Sequence, residues 1–335
     1  MRAVWYDRTG PAREVLVVGE LPDPEPAAGE VRVRVAVAGV NPRDVKRRGG
    51  VGDRVMVDPR VIPGDDGAGV IDRVGAGVSP SRVGERVWVH SATFTGAFGT
   101  SADYVVVPAH HAVPLPANAG FEIGACLGVP ALTAHRAVFA DGPVTGLTVL
   151  VTGGAGAVGH YAIEFARLGG ATVIATASSP AKRQAARAAG AHHVVDYRRS
   201  DAAELIRAAT GGRGVDRVVD VAFGANLPLT TEVVAQNAVI ATYASDAEPW
   251  PNIPFYRLMR CGIAIRTVFV FAMPQEAMER ACGEITGLLE QGSLTHPIAA
   301  RFRLEDCAEA HVCLERRAVI GKILVDLQAP REGEC

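Results

Sequence analysis

The run Leu147-Thr148-Val149-Leu150-Val151-Thr152 leads into Gly154-Ala155-Gly156-Ala157-Val158-Gly159. Six residues suited to a buried strand precede three glycines whose spacing lets a backbone fold around an anion. In such a turn Gly154 permits the sharp reversal and Gly156 lets the main chain approach a pyrophosphate. Gly159 lets a helix, Tyr161 to Leu168, lie close to the sheet with its N-terminus on the phosphates. Glycines alone are weak evidence. Here they sit between a β-branched run and a helical stretch, and a second strand, Ala171-Thr172-Val173-Ile174-Ala175, follows at the spacing of a βαβ unit. That context points to a dinucleotide, and so to hydride transfer.

About 20 residues beyond the glycines, an NAD-binding chain places Asp or Glu on the ribose hydroxyls. This chain has Thr176-Ala177-Ser178-Ser179 there, with Lys182 and Arg183 one helical turn on. No carboxylate repels a 2′-phosphate, and two cations are placed to meet it, which predicts NADPH over NADH. The competing reading makes Lys182 and Arg183 an ordinary solvated helix face.

The elements that must position this turn follow from composition and pattern. A chain of 335 residues, 48% hydrophobic, can bury a large core and suggests two domains. Its net charge of −2 gives no electrostatic case for nucleic acid or an anionic membrane. Residues Met1 to Asp7 contain no apolar signal core, and no stretch approaches the roughly 18 apolar residues of a membrane span, so a soluble, cytoplasmic protein is expected. The cysteines, Cys126, Cys261, Cys282, Cys307, Cys313 and Cys335, show no C-x-x-C pair and read as reduced thiols.

The N-terminal stretch reads as a compact, barrel-like β domain. Val31, Val33, Val35 and Val37 alternate with Arg32, Arg34 and Ala36, the period of a half-buried strand. Further short strands are expected at Val55-Met56-Val57, Gly69-Val70-Ile71, Arg86 to Val89 and Tyr104 to Val107. From about Phe121 the pattern changes to strand–helix alternation: Val149 to Thr152, Val158 to Leu168, Thr172 to Ala177, Pro180 to Ala189 and His193 to Asp196. It continues with a helix near Ala202 to Thr210 and strands at Val215 to Val221 and Ala238 to Tyr243. This is the pattern of a doubly wound parallel sheet. Helices at Gln275 to Glu290 and Leu304 to Arg316, a strand at Ile320 to Leu327, and a disordered tail from Ala329 to Cys335 complete the expected order.

Seven motifs then occur in one order. They are Val40-Asn41-Pro42-x-Asp44, Pro63-Gly64-x-x-x-Ala68-Gly69-Val70, Val83-Gly84-Glu85-Arg86-Val87 and Tyr104-Val105-Val106-Val107-Pro108, then Pro130-Ala131-Leu132-Thr133-Ala134, the glycine turn, and Ile320-Gly321-Lys322-Ile323. Over nearly its whole length the chain resembles the zinc-independent quinone oxidoreductases, the zeta-crystallin-like branch of the medium-chain dehydrogenase/reductase family. The resemblance implies an α/β architecture. A GroES-like β-rich catalytic domain would comprise residues 1–123 and 273–335, a doubly wound parallel-sheet Rossmann domain binding NADPH residues 124–272, and the active site the cleft between them. It also implies a homodimer.

Position by position, the resemblance puts Asn41 in contact with cofactor and substrate, with a turn residue before Pro42 as the alternative. It puts Thr133 at the nicotinamide ribose or amide and Gly154, Gly156, Ala157, Val158 and Gly159 at the pyrophosphate. Ser178 and Lys182 would take the 2′-phosphate and Tyr197 the adenosine end, with Asn226, Thr242 and Tyr243 after strands on the cofactor side. Phe269, Val270 and Phe271, in the run from Val268, would offer backbone contacts to the carboxamide or simply form a strand. Ala157 departs from the glycine usual there, which is tolerable at negative φ. Lys46 stands where the family has Tyr; it either donates to a developing enolate or lies on the surface. Zinc-dependent relatives carry Cys near Asn41, a Gly-His-Glu run near Gly64-Asp65-Asp66, and a third ligand, Cys, that falls on Val129. No metal is therefore expected, and Asp65 and Asp66 are expected as turn or cap residues.

Without a Lewis acid, the natural acceptor is already electrophilic: a quinone or a small α,β-unsaturated carbonyl. An enoyl-thioester or polyketide-tailoring enone reductase is the alternative, its phosphopantetheine arm met by Arg43, Lys46, Arg47 and Arg48. A non-catalytic, crystallin-like NADPH-binding protein is a third reading. His90 is a candidate for a substrate role or for a capping or core histidine, and Phe94, Phe98, Trp250 and Tyr256 are candidates for walls around a planar acceptor or for core packing.

Overall fold

The computed structural model describes residues 1–51, 56, 58–94, 96–316 and 319–327. Val55 and Val57, and with them the expected strand through Met56, lie outside the described residues, as does the tail from Ala329. The chain forms two compact units, Met1–Val129 with Cys282–Cys335, and Pro130–Ala281.

In the first unit a seven-stranded sheet runs in the order Ile298–Arg303, Lys322–Asp326, Glu30–Val40, Asp66–Val74, Arg86–Val89 and Ala112–Pro114, and Tyr104–Pro108 also pairs with Glu30–Val40. The central strand Glu30–Val40 is buried on both faces for most of its length, not on one as its alternation suggests. Val31, Val33 and Val35 pack with Ile71, Val87, Val105 and Leu304, while Ala36 and Val37 pack with Ala125, Cys126 and Leu324. Arg32 tolerates burial because Asp72 accepts from its guanidinium at 2.7 Å and the ring of Tyr104 lies 4.5 Å beneath it.

The second unit has a six-stranded, all-parallel sheet ordered His193–Val195, Thr172–Thr176, Thr148–Val151, Val215–Asp220, Val234–Thr242 and Ala264–Thr267. The order reverses between Thr148–Val151 and Val215–Asp220, so this is a doubly wound sheet with its switch point beside the glycine turn. Val149, Leu150, Val151, Val218 and Val219 are fully buried, as strands covered on both faces must be.

Several elements are not announced by the sequence. The longest is the helix Phe121–Phe139, broken at Gly128, whose φ of −12° and ψ of −106° leave the helical region just before Pro130. The run Val268–Phe271 is not a strand. The sheet-edge strand precedes it at Ala264–Thr267, and Val270–Ala272 is a single 3₁₀ turn.

The helix Cys307–Glu315 buries His311, and burial, aided by the nearby Arg48 charge, lowers its imidazole pKa to about 3. A base held neutral in the fold but free to protonate when unfolded contributes stability above its unfolded pKa of about 6.5, which is lost as pH falls toward 3. His90 and His111 act in the same direction and Asp44 in the opposite one, so a variant isolates the effect. Between pH 7 and pH 5 the wild-type protein should lose roughly 2 kcal/mol more stability than His311→Leu in urea unfolding. Equal losses in both proteins would remove His311 as an acid-sensitive group.

Candidate functional site

In the first unit the site residues gather where strand Asp66–Val74 begins and helix Pro42–Gly49 starts. Asn41 is the N-cap of that helix, not a simple turn residue. Its backbone N–H donates to Asp44 Oδ2 at 2.8 Å, and Asp44 and Asn41 together form a capping box. The other Asp44 oxygen accepts from Gly64 N at 3.2 Å. Burial first, and then the Asp65 charge, push the Asp44 carboxyl up to about 7.

Asp65 and Asp66 are neither turn nor cap residues: both are fully buried and networked. Asp65 accepts from Arg43 Nη1 at 2.7 Å, from Thr93 Oγ1 at 2.7 Å and from Thr93 N at 3.1 Å. Asp66 Oδ2 accepts from Asn41 Nδ2 at 2.7 Å and from Lys322 Nζ at 2.7 Å, while Lys322 Nζ also donates to Asn41 Oδ1 at 2.6 Å. The result is a closed triangle of amide, carboxylate and ammonium, all buried. Burial raises the Asp66 carboxyl pKa, opposed by the Lys322 charge and by hydrogen bonds from Lys322, Asn41 and Val129.

The break at Gly128 completes this network. It turns the Val129 N–H out of the helix so that it donates to Asp66 Oδ1 at 2.8 Å. A Cβ on Gly128 would stand 2.0 Å from that oxygen, and one on Gly39 2.7 Å from Lys322 Cε, so both approaches require glycine.

A zinc ion does not fit these residues. The resemblance places its three ligands at Asn41, Asp65 and Val129. Here these are an amide bound on both sides, a carboxylate held by Arg43 and Thr93, and a side chain with no donor atom. The neighbouring Asp66 already holds a cation, the Lys322 ammonium. Among the described residues no group of three or more His, Cys, Asp or Glu is placed to hold a metal.

The expected basic entrance is also absent as such. Arg43 donates to Asp65, Arg47 to Asp58 at 3.1 Å, and the buried Arg48 to Glu315 and to the Gly10 carbonyl. Lys46, on the same helix, is half-buried. His90 is a core residue, its ring 4.7 Å from that of His111, and burial lowers its pKa to about 3. Phe94, Phe98, Trp250 and Tyr256 are exposed, Trp250 at 92%.

In the second unit the sharp reversal belongs to Gly153, with φ of 64°, and not to Gly154. Gly154 supplies close packing instead: a Cβ there would lie 2.9 Å from both Ala175 Cβ and Ile163 Cδ1. Gly159 lets the helix lie close against the turn, since a Cβ there would meet the Gly153 carbonyl oxygen at 2.4 Å. Gly156 is the N-cap of helix Ala157–Leu168, and a Cβ there would find only the Gly153 oxygen, at 3.4 Å. The turn is thus packed beneath and open above, with Ala157 and Val158 as the first helical residues and their N–H groups in the first turn. Ala157 is not among the residues with positive φ.

At the end of Thr172–Thr176, Ser179 caps helix Pro180–Ala188 by accepting from Lys182 N at 3.3 Å. Ser178 and Lys182 lie there half-buried, and Tyr197 is exposed. Arg183, paired with Asp196 at 3.0 Å, and Arg198, which grips Asp196 with Nε and Nη2 and the Ser178 carbonyl with Nη2, complete a cationic corner. Sequence reading missed Arg198 because strand His193–Val195 alone brings it back beside Ser178. Thr133 is buried in helix Phe121–Phe139. Asn226 donates to Asp220 at 2.6 Å, Thr242 is buried, and burial drives the Tyr243 hydroxyl pKa well above its usual range. Phe269 is exposed and Val270 buried, with the rings of Phe269 and Phe271 5.2 Å apart.

Residues 27–117 match the family described as alcohol dehydrogenase GroES-like domain, and residues 157–286 the one described as zinc-binding dehydrogenase. A solved structure named as an NAD-dependent alcohol dehydrogenase is 32% identical with a TM-score of 0.87, over 98% of this chain and 100% of that one. The chain belongs to the medium-chain dehydrogenase/reductase family. Within that family, the Escherichia coli quinone oxidoreductase complexed with NADPH is 25% identical with a TM-score of 0.87, over 98% of this chain and 100% of that one. A 2-haloacrylate reductase of a Burkholderia species is 29% identical over 98% of this chain and 99% of its own length.

Proposed function

We propose that this protein is an NADPH-dependent oxidoreductase that reduces a quinone or a small α,β-unsaturated carbonyl without a metal ion. The observation that carries the metal-free reading is the Asn41–Asp66–Lys322 triangle. Its buried cation is an ammonium, and each carboxylate near it is already bonded within the chain. Alcohol and aldehyde chemistry needs a Lewis acid on oxygen, whereas a quinone or conjugated alkene accepts hydride unaided.

NADPH is the cofactor, consistent with the E. coli relative's complex and with the open glycine turn and cationic corner described above. The neighbour named NAD-dependent speaks for the other nucleotide. Against it stands Thr176-Ala177-Ser178-Ser179, which offers hydroxyls where a ribose-binding carboxylate would be.

Bound NADPH supplies the hydride. The protein's share is to orient the acceptor and to donate hydrogen bonds where negative charge develops on its oxygen. We assign that part to Asn41, whose amide retains one N–H beyond its bond to Asp66, and to Lys46 on the same helix. The Burkholderia relative's name favours an activated alkene as the second acceptor class. The thioester reading loses its support, because the arginines meant for a phosphopantetheine arm are paired with Asp65, Asp58 and Glu315.

Following NADPH absorbance with benzoquinones, a 2-haloacrylate, a simple enone and a crotonyl-thioester, in the presence of excess chelator, tests this. Turnover of a quinone or small alkene with no loss on chelation is expected. Turnover that disappears with chelator, or that occurs only with the thioester, would overturn it.

A further inference from the structure

Asp220 is fully buried at the end of strand Val215–Asp220, yet its two carboxylate oxygens are treated unequally. Oδ1 accepts from Thr152 Oγ1 at 2.7 Å, from Asn226 Nδ2 at 2.6 Å and from Ala222 N at 3.2 Å. Oδ2 is buried with no partner among the described residues. Leaving such an acceptor unmade is costly, so an orphan carboxylate oxygen in a native fold points to a donor that arrives from outside the chain.

Its position in the sheet says what that donor belongs to. Thr152 and Asp220 follow and end the two strands between which the strand order reverses, where a doubly wound sheet binds its ligand beyond the carboxyl ends of its strands. The cationic corner of Ser178, Lys182 and Arg198 lies on one side, past Thr172–Thr176, and fixes the adenosine end there. The pyrophosphate belongs to the glycine turn in the middle. The nicotinamide riboside then lies over the ends of Val215–Asp220 and Val234–Thr242, which are in register at Asp220 and Thr242.

We infer that Asp220 is a binding residue for the nicotinamide half of the dinucleotide: Oδ2 accepts a hydrogen bond from a hydroxyl of the nicotinamide ribose, while Oδ1 holds Thr152 and Asn226 beside it. The inference rests on the NADPH reading above and adds a residue that the glycine motif does not name.

Titrating wild type, Asp220→Asn and Asn226→Ala with NADPH and with adenosine 2′,5′-bisphosphate, which lacks the nicotinamide ribose, tests it. Asp220→Asn turns the free acceptor into a donor, so its NADPH Kd should rise about 10-fold while the bisphosphate Kd stays within about 2-fold. Asn226→Ala should show a smaller loss of about 3-fold, again for NADPH alone, and serves if the first variant does not fold. Unchanged NADPH binding, or equal weakening of both ligands, overturns the role of Asp220. Failure of the wild type to bind either ligand overturns the cofactor reading instead.

Discussion

Replacing Lys322 by methionine should destabilise the first unit by about 3–5 kcal/mol, because it leaves the Asp66 carboxylate buried without its cation. Asn41 Oδ1 loses a donor in the same step. For a unit of this size that corresponds to a fall of roughly 10 °C in its melting temperature. The double variant Lys322→Met with Asp66→Asn removes both charges and should recover most of the loss, since an amide at position 66 can still accept from the Val129 N–H. Thermal unfolding of the three proteins decides the matter. A single variant that melts within a degree or two of wild type would show that the triangle carries no net ionic stabilisation. A double variant no better than the single would place the loss in packing around Gly39 instead.

Removing the cations at the corner proposed for the 2′-phosphate should change which nucleotide the protein holds. Lys182→Ala and Arg198→Ala are each expected to raise the NADPH Kd about 10-fold, and the pair about 100-fold, with solvent exposure of Arg198 trimming its share. NADH binding should stay within about 2-fold, because the cations have no phosphate to meet there. Fluorescence titration with both nucleotides reads the effect directly. Arg198 is the more informative of the two, since it is already committed to Asp196 and the Ser178 carbonyl. If Arg198→Ala leaves NADPH affinity unchanged, the corner is a surface ion network and Lys182 acts alone.

The second unit was largely legible in the sequence for a physical reason. Parallel strands buried on both faces are continuous apolar runs, and the helices between them show one apolar stripe each. Where that contrast fails, so does the reading. Helix Phe121–Phe139 carries Gly128 and Pro130, the marks of a turn, and helix Phe223–Val233 carries Pro228 with little contrast between its faces. Of the candidate site, the glycine turn was legible but displaced by one residue, because Thr152-Gly153-Gly154 offers two glycines and only the backbone shows which one takes positive φ. Asp65 and Asp66 read as turn residues because nothing nearby in the sequence explains their burial. The ammonium that holds Asp66 is 256 residues away. Asp220 was passed over for a related reason, since a carboxylate closing a strand looks ordinary until its partners are counted oxygen by oxygen.

The three-membered ring of Asn41, Asp66 and Lys322 has a consequence for metal binding. Each member answers the other two, so a mutation that placed a thiolate at position 41 would set a second anion against Asp66 while depriving Asp66 of the amide donor it now has. Installing an imidazole at position 65 would in turn strand Arg43 and Thr93. No single substitution therefore leads from this arrangement to a zinc centre: positions 41, 65 and 129 would all have to change, and the first two are each tied into a buried network.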